Sequence, residues 1–338
     1  MKRLSFILGL AYTLFLWNTV SAQTRSNELI QVLVTPNKAD WTYQLGEEAS
    51  FTVTVLEHQV PLKNVEIQYS IGLEKMDPSQ KGTFTAKAPY TPIGKAATLK
   101  EPGFLRCEAR VKVNGKEYRG IATAAFAPER IQPTQKLPED FWDFWNNAKE
   151  AASKVPMDAK ITLLPERCTE KVDVYQVNIQ HFETGARLYG ILATPKEAGK
   201  YPAVLQVPGA GVRPYYGSME LAEKGIITLQ IGIHGIPVTY GTELYDNLRA
   251  SALKGYPFAN LDDRDRYYYK RVYLGCVRAV DYLFSLPQFD GENLAVWGGS
   301  QGGALAITTA ALDSRIKYLV SIYPALSDLT GYLHGRAG

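Results

Sequence analysis

Cysteine, histidine and an excess of either charge are what this sequence has least of, and each shortage removes a class of function. Three cysteines in 338 residues, Cys107, Cys168 and Cys276, make no disulfide framework, and no pair has the short spacing of a zinc site. Cys276 falls in an apolar helical pattern, where it reads as a small buried hydrophobe. Four histidines, at 58, 181, 234 and 334, are too scattered for a histidine-based metal centre. The formal net charge is only +3 and no basic stripe stands out, so nucleic acid is not an expected partner. Long apolar runs are also missing, save one at the amino terminus. There Lys2 and Arg3 precede an apolar stretch from Leu4 to Trp17, which is short of the ~20 residues of a membrane span. Val20-Ser21-Ala22 offers the small residues of a cleavage site. Residues 1–22 therefore read as a signal peptide cut before Gln23, leaving a periplasmic or secreted protein with no membrane anchor.

What is present is enough apolar material, 46% of residues, for two cores of ordinary size. Phe51 to Val55, Val65 to Tyr69 and Leu105 to Val113 alternate apolar and polar, as strands with one buried face do. Asn114-Gly115 then supplies a two-residue hairpin turn before Lys116 to Ala122. Short strands with no helix between them predict a small immunoglobulin-like β-sandwich over residues 25–127, without a catalytic grouping, serving as spacer or glycan contact. A proline-rich linker, 128–137, follows. From residue 138 to 338 strands and helices alternate. Pro138-Glu139-Asp140 opens a helix whose Phe141, Phe144, Trp145 and Ala148 share one face, more in the manner of core than of a sugar platform. Val172 to Gln180 and Leu188 to Thr194 read as paired opening strands. Ala203 to Val207, Gly225 to Ile233, Leu294 to Trp297 and Tyr318 to Tyr323 read as further strands, and Arg266 to Leu286 as a long helix. The order predicts a mostly parallel, doubly wound α/β sheet of the α/β-hydrolase kind.

Within that series sits Gly298-Gly299-Ser300-Gln301-Gly302-Gly303, between a strand and a helix-forming run. A serine hydroxyl becomes a nucleophile only when it is held clear of its neighbours and a base takes its proton. A tight strand-to-helix turn meets the first need, and glycines two before and two after the serine leave it room, the places Gly298 and Gly302 fill. The oxyanion formed on attack needs two backbone N–H donors. Gln301 is one candidate, and Ala210, between Gly209 and Gly211 after the strand ending at Val207, is the other. The base is harder to place. The expected order is serine, then Asp or Glu, then His, yet Asp313 reads as part of a helix-ending turn. Asp328 and His334 stand too close together after a single strand. The activating acid and base are therefore expected beyond Gly338, with the hydrolase domain incomplete at that end.

Pro138 to Trp145, Tyr267 to Tyr273 with Arg278-Ala-Val-Asp-Tyr-Leu283, and Gly298 to Gly303 together resemble the acetyl xylan esterase / cephalosporin-C deacetylase family, over about Leu137 to Gly338. The resemblance implies a serine esterase with Ser300 as nucleophile and the Gln301 N–H on the oxyanion. It implies removal of acetyl groups from acetylated xylo-oligosaccharides or small acetyl esters, without metal or cofactor, often in homo-oligomers. Two loops depart from the family's pattern. Pro208-Gly209-Ala210 stands where members have His-Gly-Tyr, and Ile233-His234-Gly235 stands near the usual Arg-Gly-Gln. His234, at a strand end, is a candidate for substrate contact or for a structural hydrogen bond. Two other functions fit the residues. A prolyl-oligopeptidase-like secreted peptidase shares such elbows but carries a propeller that ~100 front residues cannot build. A non-catalytic carbohydrate-binding protein on the hydrolase fold would explain the missing acid and base.

Overall fold

The structure is a computed structural model that describes residues 29–329 and 331–334, so the signal-peptide reading of residues 1–22 lies outside the described residues. They divide into two compact units, one holding residues 29–135 and 331–334 and the other Lys136–Leu329.

The first unit is all β. Its strands are β1 (Ile30–Pro36), β2 (Thr42–Tyr43), β3 (Ala49–Glu57), β4 (Val60–Pro61) and β5 (Val65–Leu73), followed by β6 (Gln80–Ala86), β7 (Thr91–Ala97), β8 (Gly103–Val113) and β9 (Lys116–Phe126). One sheet runs β1-β3-β4 with β7 also on β3, and the other runs β2-β9-β8-β5-β6. The alternation predicted from sequence decides which side chains meet. Phe51, Val53 and Val55 of one sheet share a core with Ile67, Ile71, Leu105, Cys107, Ala109 and Val111 of the other. At the β8–β9 turn Val113 faces Lys116, and Asn114 (φ 50°) and Gly115 (φ 79°) are both left-handed, as the two-residue hairpin requires. Two stacked sheets, not a ring of blades, occupy this unit.

The second unit opens with α1 (Phe141–Ser153) and β10 (Lys160–Leu163), then β11 (Val172–Gln180), β12 (Arg187–Pro195), β13 (Tyr201–Gln206) and the short α2 (Met219–Ala222). It continues with β14 (Ile227–Gly232), α3 (Thr242–Ala250), α4 (Tyr268–Ser285), β15 (Phe289–Gly299), α5 (Gln301–Leu312) and β16 (Tyr318–Ile322). All seven strands form one sheet in the order β10-β11-β12-β14-β13-β15-β16. The order β12-β14-β13-β15 carries a crossover, and helices lie on both faces. Leu205, Leu229 and Val296 pack with Val272, Cys276, Val280, Leu305 and Ala306 of α4 and α5 on one side. Val174, Ile191 and Ala193 pack with Met219 and Ala222 of α2 on the other.

The sheet is less parallel than the strand–helix alternation predicts. The ladders β10–β11, β11–β12 and β12–β14 are antiparallel, and only β14–β13, β13–β15 and β15–β16 are parallel. The cause is local. Short turns join β10, β11 and β12, and a short connection cannot carry a chain back to the start of its neighbour. A second difference concerns β15. Leu294 and Val296 are fully buried, but Trp297 is 40% exposed. Trp297 stands in register with Gln206 on one side and Val320 on the other, on the face that α2 only partly covers among the described residues. The Asp290-Gly291 turn lies within β15 as an irregularity in its pairing with β13.

Residues singled out as core behave as core. Trp145 is buried with Leu274 and Leu312, and Phe141, Phe144 and Ala148 pack around them. Burial pushes the Cys276 thiol up to about 12, so it is an inert hydrophobe. His181, just past β11, is a less usual core residue, because its Nδ1 has no partner among the described residues. Burial, with the nearby charges of Arg271 and Arg278, pushes its pKa down to about 4. The unfolded chain takes up a proton near pH 6.5 that the folded chain refuses until about pH 4, so this contribution to stability is lost as pH falls through that window. At 1.36 kcal/mol per pH unit the loss reaches about 3 kcal/mol. Urea unfolding at pH 7 and pH 4.5 is expected to show a smaller pH loss for His181→Leu than for the wild type. An equal loss in both would contradict the assignment.

Candidate active site

The end of β15 makes the turn that the glycine pattern predicts. Ser300 has φ 58° and ψ −123°, a left-handed conformation that costs a residue with a Cβ about 1–3 kcal/mol. Neighbouring backbone holds it there. The Ser300 N–H donates to Ile322 O at 2.9 Å, and the Ser300 carbonyl accepts from Gly303 N at 2.9 Å and from Ala325 N at 3.0 Å. A Cβ on Gly298 would lie 2.4 Å from Gly302 O, and one on Gly302 would lie 2.5 Å from Val207 O. Both positions must therefore be glycine for β15, α5 and the loop after β13 to close on one another. Ser300 is half-buried at the first position before α5, where the partial positive charge of a helix amino terminus favours a developing anion.

Both predicted oxyanion donors are free. Neither the Gln301 N–H nor the Ala210 N–H donates to a partner among the described residues. The loop that carries Ala210 rests against the elbow, since a Cβ on Gly209 would sit 3.3 Å from Gly299 O. Gln301 has a second function that the sequence does not announce. Its side chain is buried, with Oε1 accepting from the Tyr256 hydroxyl at 2.7 Å and the Tyr269 hydroxyl at 2.5 Å, while Nε2 donates to Pro208 O at 3.1 Å. Removing the amide would leave the Tyr256 and Tyr269 hydroxyls and the Pro208 carbonyl without it, at a cost of about 1–3 kcal/mol for a buried group left unpaired. Gln301→Leu is therefore expected to lower the urea midpoint measurably, and an unchanged midpoint would contradict a tying function.

His234 makes structural hydrogen bonds. Its Nε2 lies 3.0 Å from Gly211 O and its Nδ1 lies 2.7 Å from the Tyr268 hydroxyl. Burial, partly offset by the Gly211 carbonyl and aided by the charges of Arg271 and Arg213, holds its pKa below the ordinary value. The neutral ring carries its proton on Nε2, because a carbonyl can only accept. His234, with both ring nitrogens engaged elsewhere, does not hydrogen-bond the Ser300 hydroxyl. Asp313 is, as predicted, part of the turn that ends α5, and it binds Arg315.

The other sequence runs noted above brace the unit. Arg278 donates across from α4 to Ala152 O, at 2.9 Å, and to Val155 O beyond the end of α1. Asp281 pairs with Arg315 at 2.5 Å. Tyr256 and Arg213 were not singled out in the sequence, and the only hint is that Tyr256 sits in a Gly-Tyr-Pro turn and Arg213 three residues past Ala210.

Residues 129–333 match the family described as Acetyl xylan esterase (AXE1). The chain is 41% identical, over 311 residues, to Acetyl esterase Axe7A of Xylanibacter ruminicola, a match covering 90% of this chain and 70% of that protein. Among solved structures it is similar to an acetyl xylan esterase from Paenibacillus sp. R4, at 30% identity and a TM-score of 0.49. It is also similar to acetyl xylan esterase 1 from Thermoanaerobacterium sp. JW/SL YS485, at 25% identity and a TM-score of 0.50. Each of these matches covers 58% of this chain, which spans 62% of either solved chain.

Proposed function

The chain belongs to the acetyl xylan esterase family, and from that premise we propose that the protein is an exported serine esterase that removes acetyl groups from acetylated xylo-oligosaccharides or similar small esters. The observation that carries the serine mechanism is the Ser300 turn, whose left-handed backbone stands between two glycines that packing requires. In the proposed reaction Ser300 Oγ attacks the acetyl carbonyl carbon and gives its proton to a general base. The oxyanion rests on the N–H groups of Gln301 and Ala210. As the tetrahedral species collapses, the C–O bond to the sugar breaks and the sugar oxygen takes the proton. Water then attacks the acetyl-Ser300 ester, releasing acetate and restoring the hydroxyl.

The amino-terminal pattern of Lys2, Arg3 and the apolar stretch to Trp17 supports export, and the described residues hold no helix long and apolar enough to cross a membrane. The first unit is proposed to be immunoglobulin-like and to act as a spacer or glycan contact. Acetate release by the full-length protein from acetylated xylo-oligosaccharide tests the substrate class. The expected result is release at a rate well above that from a proline-containing peptide, and cleavage of the peptide without release of acetate would contradict it.

A further inference from the structure

The loop between β13 and α2 bears one of the two proposed oxyanion donors, yet Ala210 itself is exposed and its side chain anchors nothing. Such a loop would drift unless something held its backbone, and its hydrogen bonds can be followed residue by residue. The Pro208 carbonyl accepts from Gln301 Nε2 at 3.1 Å. The carbonyls of Gly209, at 3.1 Å, and of Ala210 both accept from Arg213 Nη2. The Gly211 carbonyl accepts from His234 Nε2 at 3.0 Å, and the Gly211 N–H donates to the Tyr256 hydroxyl at 3.1 Å. Every carbonyl from 208 to 211 is therefore held by a side chain from elsewhere or from Arg213 within the loop. The Ala210 N–H, like that of Gly209, has no partner among the described residues, and the loop meets the elbow where Gly209 lies against Gly299. The Tyr256 hydroxyl passes its own proton to Gln301, the residue carrying the other donor, so one network fixes both.

We propose that Tyr256, His234, Arg213 and the Gln301 side chain are positioning residues that pre-organise the Ala210 and Gln301 N–H groups for the oxyanion. The inference rests on the serine-esterase reading above. Pre-organised donors act on the transition state more than on the bound ester, so loosening them lowers kcat and leaves KM nearly unchanged.

The test uses the full-length protein and p-nitrophenyl acetate. Tyr256→Phe keeps the ring and removes both hydrogen bonds, and is expected to lower kcat about 10-fold or more with KM within about twofold, since one lost donor costs about 10²–10³ when it is removed outright. His234→Leu is expected to lower kcat in the same way, and His234→Gln, whose amide N–H can reach the Gly211 carbonyl, to recover most of the loss. An unchanged kcat in Tyr256→Phe, a rise in KM alone, or a Gln variant no better than Leu would each overturn the inference. Ser300→Ala is measured alongside. Retained hydrolysis there overturns the esterase reading, whereas abolished hydrolysis with a normal Tyr256→Phe overturns only the positioning of the loop.

Discussion

Ser300→Ala in the full-length protein is expected to cut hydrolysis of p-nitrophenyl acetate by roughly 10⁶-fold, the scale on which loss of a serine nucleophile registers. The fold should survive, because the backbone bonds from Ser300 to Ile322, Gly303 and Ala325 do not involve the hydroxyl. A companion variant separates chemistry from strain. Ser300→Gly should be equally inactive, yet more stable by about 1 kcal/mol, since glycine adopts φ 58° without the penalty that a Cβ meets there. The melting temperature and the rate therefore move in opposite directions at this position. Such a trade is what a strained functional residue shows and a loop serine does not.

Gly302→Ala is expected to lower stability strongly. The added methyl would stand 2.5 Å from Val207 O, 3.0 Å from Pro208 C and 3.1 Å from Gly209 N, all backbone atoms of the loop that bears Ala210. Backbone cannot turn aside as a long side chain can, so either α5 or the loop must shift. Overpacking of this kind costs about 1–3 kcal/mol or more, which for a unit near 200 residues is a melting-temperature loss of about 2–12 °C. Because the displaced atoms include the oxyanion loop, kcat should fall with the stability. A Gly299→Ala control should do little, since its nearest neighbour is the Tyr323 ring at 3.6 Å. Equal melting temperatures for the two variants would contradict the packing account.

How much of this was legible in the sequence follows from how local each cause is. The elbow was legible because strand, glycines, serine and helix are contiguous, and the physical reason for each glycine acts within a few residues. The hairpin at Asn114-Gly115 and the apolar faces of α1 and α4 were legible for the same reason. The antiparallel share of the large sheet was not, because alternation of strands and helices reports little about which way neighbours run once the opening connections are short. The apolar run to Trp297 marks a strand, but the exposure of Trp297 depends on what covers that face, which no strand pattern records. The network that holds Ala210 was hidden most completely. Tyr256, His234 and Gln301 are separated by tens of residues, and only the closure of the sheet brings their polar atoms onto one loop. His234 shows the point in miniature. Its place at a strand end suggested two functions in the sequence, and the two ring nitrogens, one on Gly211 and one on Tyr268, decide for the structural one.

The central claim is that Ser300 is the nucleophile, and covalent capture tests it most directly. Full-length protein treated with a fluorophosphonate should gain the mass of one adduct, and peptide mapping should place it on Ser300. The adduct should vanish in Ser300→Ala and be suppressed by prior saturation with acetylated xylo-oligosaccharide. Labelling of another residue, or acetate release that continues at full rate while Ser300 remains unlabelled, would contradict it.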